Sequence, residues 1–186
     1  MPSKDCNQPL VPATCWYQSF RQACVREPAL RGTPAYWLQV EGSLTRALQL
    51  RCQHRFHVEV VNERFARPDP EEARTLDIPP RQLAWIREVR LCGDNQPWVL
   101  ARTVIPLPTL QGTGRRLRHL GRRPLGAWLF SHKQWHRGPL QAGLCISGRD
   151  GAGPVPLCAR RSIFRRHHNR LLVGEYFLPE LLNKPK

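Results

Sequence analysis

The stretch Leu83-Ala-Trp-Ile-Arg-Glu-Val-Arg-Leu-Cys-Gly-Asp-Asn-Gln-Pro-Trp-Val-Leu-Ala-Arg-Thr-Val-Ile105 decides the fold class. Apolar-rich runs at 83–91 and 98–105 flank Gly93-Asp-Asn-Gln-Pro97, a turn chemistry that reads as a β-hairpin. Pro106 and Pro108 end the second arm. Side chains on a strand alternate between two faces. Trp85, Arg87, Val89 and Leu91 therefore share one face of the first arm, and Trp98, Leu100, Arg102 and Val104 share one of the second. The same alternation in Leu171-Leu-Val-Gly-Glu-Tyr-Phe177 groups Leu171, Val173, Glu175 and Phe177. A charge on a buried face is costly unless it is paired or meets a ligand. Arg87, Arg102 and Glu175 thus point either to an internal ion pair or to a closed polar site that receives a small anion. Alternation alone leaves both readings open.

Outward from the hairpin, Ser43 reads as the N-cap of a helix over 44–51, and 34–40 fits a shorter helix before it. A strand is expected at 56–62, followed by a loop at 67–74 and Ile78-Pro-Pro80. A helical stretch is expected over 109–120, then a second helix with Pro124 near its first position. Strands follow at 144–148, 157–164 and 171–178, with turns at 148–153 and 167–169. There is no βαβ alternation and no internal repeat. The fold class expected is α+β, a single domain with an antiparallel sheet, helices packed on it, and helical flaps over an internal ligand site. Residues 1–30 read as an irregular N-terminal extension and 31–186 as the domain.

A chain of 186 residues with 41% hydrophobic content is long and apolar enough for one globular core. No run approaches the ~18 apolar residues of a membrane span. The first ten residues lack an apolar signal core, so the expected compartment is the cytoplasm. Seven cysteines, at 6, 15, 24, 52, 92, 145 and 158, form no CxxC pair and stand beside no zinc-spaced histidines. They read as free thiols, and no metal is expected. The net charge of +15 draws anionic partners. Its arginines concentrate at 114–124 and 159–170, where they read as solvated loops and hairpin ends, with substrate steering as the next reading. Neither run carries a nucleic-acid motif or interleaves aromatics for base stacking, so no nucleic-acid partner is expected.

The motif set resembles the chorismate–pyruvate lyase family of bacterial ubiquinone synthesis. The resemblance is carried by Trp85-Ile-Arg-Glu-Val-Arg-Leu91, Gln96-Pro-Trp-Val-Leu-Ala-Arg-Thr-Val-Ile-Pro106, Leu120-Gly-Arg-Arg-Pro-Leu-Gly-Ala-Trp-Leu-Phe130, Ala159-Arg-Arg-Ser162 and Gly174-Glu-Tyr-Phe-Leu-Pro179, and spans about 36–181. It implies cleavage of chorismate to 4-hydroxybenzoate and pyruvate by a monomer with no metal or organic cofactor. It places Arg87 on the ring carboxylate, aided by the backbone amide of Leu125. It places Glu175 on the ring oxygen substituents and Leu44 at the start of a covering flap. Arg102 is assigned to the second carboxylate. Arg87 and Glu175 are the residues expected to carry catalysis. No stable membrane insertion is expected, although transient proximity to a membrane is allowed. The alternative from another class is a non-catalytic small-anion-binding domain like the effector domains of GntR-type repressors.

Overall fold

The computed structural model describes residues 10–132, 134–146 and 155–184, leaving aside the side chains of Gly112 and Thr113. The expected hairpin is present as β3 (Ala84–Gly93) and β4 (Gln96–Pro106). Asp94 and Asn95 both take positive φ at its turn, the backbone that a tight two-residue connection demands. Around it lie β1 (Thr14–Tyr17), β2 (Phe56–Ala66), β5 (His136–Arg137), β6 (Gln141–Cys145), β7 (Cys158–Arg166) and β8 (Asn169–Phe177). They form one sheet in the order β1-β6-β7-β8-β4-β3-β2, with β5 also paired to β7, and every pairing is antiparallel.

Helices cover both faces of this sheet. On the first face, α1 (Phe20–Arg26), α2 (Thr33–Gln39) and α3 (Leu44–Arg51) bury Leu30, Trp37, Leu38 and Leu48 against Val89, Val99 and Phe177. Further along that face, α5 (Leu107–Leu110), a 3-10 segment (Gly112–His119) and α6 (Leu125–Ser131) bury Leu117, Leu120 and Leu129 against Trp85, Ile105 and Leu171. The second face is covered by α4 (Pro70–Leu76) and by Leu10 and Val11, which pack on Val104 and Leu172 and on Leu100 and Tyr176 respectively. A short α7 (Pro179–Leu182) follows the last strand.

Several local expectations change. Residues 67–74 are not a loop, because Asp69 and Glu72 form a reciprocal capping box and Pro70 sits at the first helical position of α4. The helix expected over 109–120 is instead a short α-turn and a 3-10 run. Gly114 there lies so close to the Thr109 carbonyl that a Cβ would collide with it. Residues 10–30, expected to be irregular, contain β1 on the sheet edge, α1 and a 3-10 turn (Pro28–Leu30), with Ala23 and Leu30 fully buried. Apolar residues spaced through this segment give it a packed face that scattered Pro and Cys conceal. The run at 159–170 is a hairpin end only around its exposed turn at 167–168, since Arg160 and Arg161 sit inside β7 and are buried. The turn expected at 148–153 lies outside the described residues.

The hairpin end is closely packed. The register shifts between Leu91 and Cys92, so Trp98 is the extra residue of a bulge and joins the first-face core rather than the face of Leu100. A Cβ on Gly93 would overlap the ring of the fully buried Trp98. Gly93→Ala is expected to lower stability by roughly 1–3 kcal/mol through overpacking. Urea unfolding of the purified variant checks this.

Candidate active site

Strand register, not alternation within one strand, decides which charges meet. Arg87 pairs with Thr103, and Thr103 pairs with Val173. Glu175 pairs with Ala101 on one side and Arg160 on the other. Arg87, Thr103, Glu175, Arg160 and Ser162 therefore share the first face. They form a polar strip between the two apolar clusters built by α1–α3 and by α5–α6. Arg102 pairs with Glu88 and projects from the opposite face. The expectation that Arg102 holds a second carboxylate in this site is therefore corrected. The sheet is covered on both sides, so a charge on an apolar strand face does not say which interior it enters.

On the second face, Arg102 is an enclosed structural cation. It donates from Nε and Nη2 to the two oxygens of Glu72 at 2.8 and 2.9 Å and from Nη1 to Glu88 at 2.7 Å. Burial disfavours its charge, but the bonds to Glu72 and Glu88 outweigh that and raise its pKa above the usual arginine range. Glu88 also accepts from the Leu10 backbone N–H and from Asn62.

On the first face, the arginines do not pair with Glu175 in the way that the simplest ion-pair reading required. Arg87, 2% exposed, binds Glu63 through Nη1, while Nη2 donates to the Gly121 carbonyl at 2.6 Å and to Arg123 O at 3.4 Å. Its Nε makes no hydrogen bond among the described residues. The carbonyls that it grips lie just before α6, whose first residue is Leu125 and whose N-cap, Pro124, offers no side-chain cap. The backbone N–H of Leu125 is thus tied by a short loop to Arg87.

Glu175 accepts from Arg160 Nε at 2.7 Å through Oε2, and Arg137 Nη2 stands 4.0 Å from the same oxygen. Oε1 accepts no hydrogen bond among the described residues. Arg160 Nη1 holds the carbonyls of Trp37 at 3.2 Å and Val40 at 2.6 Å, at the end of α2. Arg137 donates to Ser162 Oγ at 3.0 Å and to the Gly42 carbonyl at 3.3 Å. Burial lowers the Arg137 pKa; Glu175 opposes this and Arg160 adds to it. The segment held by both arginines leads into α3, where Ser43 caps and the buried Leu44 is the first residue. Thr45 of α3 approaches Gly126 of α6, where an added Cβ would lie 3.3 Å from Thr45 Oγ1. The starts of α3 and α6 thus meet over the polar strip.

Of the residues expected at the site, the structure brings Arg87, Glu175, Leu125 and Leu44 to one face and leaves Arg102 on the other. Glu63, Arg160 and Arg137 were missed. The signal for Arg160 was available, since Ala159-Arg-Arg-Ser162 on a strand must send one arginine to each face. The described residues contain no group of three or more His, Cys, Asp or Glu side chains that could hold a metal. The described cysteines are all free. Burial pushes the Cys145 thiol up to about 12, and Cys158 higher still, so neither is a thiolate nucleophile at neutral pH.

A polar strip rich in arginine, under two helix starts on an antiparallel sheet, marks out this α+β domain. The chain matches the family model described as chorismate lyase over residues 21–186 and belongs to that family. It is 57% identical over 188 residues to a protein named probable chorismate pyruvate-lyase from Marinobacter nauticus, covering 100% of this chain and 98% of that one. It is 45% identical to the chorismate pyruvate-lyase of Yersinia enterocolitica, covering 85% and 89% of the two chains. Among solved structures, PhnF from Mycobacterium smegmatis matches at TM-score 0.52 and 16% identity, over 76% of this chain and 66% of that one. A GntR-family transcriptional regulator from Bacillus cereus matches at TM-score 0.50 and 10% identity, over 70% and 96%. Those two likenesses concern the fold alone.

Arg102→Met is expected to lose about 3–5 kcal/mol of stability, because it leaves Glu72 and Glu88 buried without their cation. The surviving folded fraction should keep an unchanged KM for the family's substrate. Chemical denaturation alongside steady-state kinetics checks both halves.

Proposed function

We propose that this chain is a chorismate lyase, releasing pyruvate from chorismate and leaving 4-hydroxybenzoate. The observation that carries the reading is the placement of Arg87 and Glu175 on one buried sheet face, each with a polar atom that makes no hydrogen bond among the described residues, in a chain of this family. Their strands are two inter-strand spacings apart, roughly 10 Å between backbones. A para-substituted ring suits that gap better than a direct ion pair does.

The ring carboxylate takes Arg87 Nε and the Leu125 N–H, a charge-assisted pairing of carboxylate with guanidinium. The ring hydroxyl donates to Glu175 Oε1. The Leu44 backbone, at the start of α3, closes the site from above, and the two helix starts exclude water. The reaction breaks the bond between the ring carbon and the ether oxygen. The hydrogen on the neighbouring, hydroxyl-bearing carbon is lost, and the ring becomes aromatic. That proton moves to the vinyl methylene of the side chain through a six-membered arrangement, so pyruvate forms directly. Glu175 orients the ring rather than acting as the obligatory base. Positioning and charge complementarity therefore carry the rate, and no cofactor is called for.

The motif resemblance assigns the product to ubiquinone biosynthesis and supports a cytoplasmic monomer. No helix among the described residues is long and apolar enough to cross a membrane. The second reading, an anion-binding domain without chemistry, draws on the fold likeness to the GntR-family regulator. Incubation of the purified protein with chorismate, following pyruvate by a coupled assay, separates the two, since an effector domain would bind without turnover.

Two variants test the assigned roles. Arg87→Ala should raise KM by about a hundredfold, the loss of a charge-assisted pairing of roughly 3 kcal/mol. Unchanged kinetics would remove Arg87 from the site, and unfolding would favour a purely structural pairing with Glu63. Glu175→Gln, which still accepts a hydrogen bond, should lower kcat by less than ~10-fold. A loss in the ~10²–10⁴ range that accompanies removal of a general base would reassign the proton to Glu175.

A further inference from the structure

We infer that Arg160 and Arg137 form the subsite for the enolpyruvyl carboxylate of the substrate, a role that rests on the lyase reading above. Arg160 is fully buried, and three of its polar contacts are filled by Glu175, Trp37 O and Val40 O. Its Nη2 is also buried and has no hydrogen-bond partner among the described residues. An enclosed guanidinium nitrogen with nothing to donate to is uncommon in a folded protein and calls for a reason. On a guanidinium, the Nε hydrogen and one Nη2 hydrogen project from the same edge. The idle donor therefore lies alongside the Glu175 carboxylate that Nε already binds.

Charge balance points the same way. Arg160 and Arg137 both approach one carboxylate, at 2.7 and 4.0 Å, so the group carries an excess positive charge in a buried setting. A second carboxylate neutralises it. Chorismate has one in the right place, because its enolpyruvyl ether stands on the ring carbon next to the hydroxyl-bearing carbon. If Glu175 receives the hydroxyl and Arg87 the ring carboxylate, the ether group falls on the Glu175 side of the strip. Arg160 Nη2 and Arg137 Nη2 are the cationic donors there. Arg102 cannot serve, since it faces the other side of the sheet. The same two guanidiniums also stand where negative charge gathers on the departing enolpyruvyl oxygen.

The two carboxylates make separable predictions, because 4-hydroxybenzoate retains only the ring carboxylate. Arg137→Gln, at a partly accessible side chain, is expected to raise KM for chorismate by roughly tenfold, the loss of one charge-assisted contact. The inhibition constant of 4-hydroxybenzoate should stay within about twofold of wild type. Arg160→Lys, which keeps the charge but loses the fork, should show the same split. It avoids the unpaired Trp37 and Val40 carbonyls that a neutral replacement would leave, and circular dichroism checks its fold. Equal weakening of chorismate and 4-hydroxybenzoate in folded variants would overturn the subsite, as would no change in either. If the wild-type protein binds chorismate but releases no pyruvate, the lyase reading fails on its own. Calorimetric titration with chorismate and 4-hydroxybenzoate then still decides the subsite by the same selective loss.

Discussion

Buried guanidinium groups that grip backbone carbonyls are the constraint on which this site depends. Arg87 holds the Gly121 and Arg123 carbonyls just before α6, and Arg160 and Arg137 hold the carbonyls at 37, 40 and 42 just before α3. Each of these arginines rises from the sheet and fastens the loop that delivers one helix start. The same side chains stand beside the carboxylates Glu63 and Glu175. The cations that would receive an anionic substrate therefore also set the height of the roof above it. Site geometry and fold stability are coupled through a few hydrogen bonds, which is how a scaffold holds ligand groups to a fraction of an ångström.

Ion pairs of this kind are poor sources of net stability, since burial of each charge offsets most of the attraction. The two sheet faces illustrate two uses of them. On the second face, Arg102 is saturated by Glu72 and Glu88, and Glu72 also caps α4. That cluster locks a helix to the sheet and engages all three guanidinium nitrogens of Arg102. On the first face the bonding among the described residues is less complete: Arg160 Nη2 is buried without a partner, and neither Arg87 Nε nor Glu175 Oε1 makes a hydrogen bond. Saturated charge fixes structure, and the proposed lyase reading gives the unsaturated donors their partner in the substrate.

Much of the scaffold was legible in the sequence because local chemistry wrote it. Ser43 capped α3 at the expected residue, and Asp94-Asn95 turned the hairpin. The antiparallel α+β class followed from the order of elements. What was illegible depended on register and on burial of the second face. Arg102 shared its alternation pattern with Arg87, but pairing with Glu88 sent it to the other side. The bulge at Trp98 moved that ring from its expected face. Pro68 and Pro70 disguised α4 as a loop, although Asp69-Pro-Glu-Glu72 carries a capping box. Arg160 was hidden within an arginine-rich run whose average character is that of a solvated surface. Family resemblance grouped Arg87, Leu125 and Glu175, which lie far apart in the chain, because it transfers positions rather than local patterns; the structure brings them to one face of the sheet.

The central claim is that one aromatic acid spans the first face from Arg87 to Glu175, beneath the starts of α3 and α6. A crystal structure of the protein with 4-hydroxybenzoate tests it most directly. The account predicts the product carboxylate within hydrogen-bond distance of Arg87 and the Leu125 N–H, and the hydroxyl on Glu175. Product bound instead on the Arg102 face, or bound without contact to either Arg87 or Glu175, would contradict it.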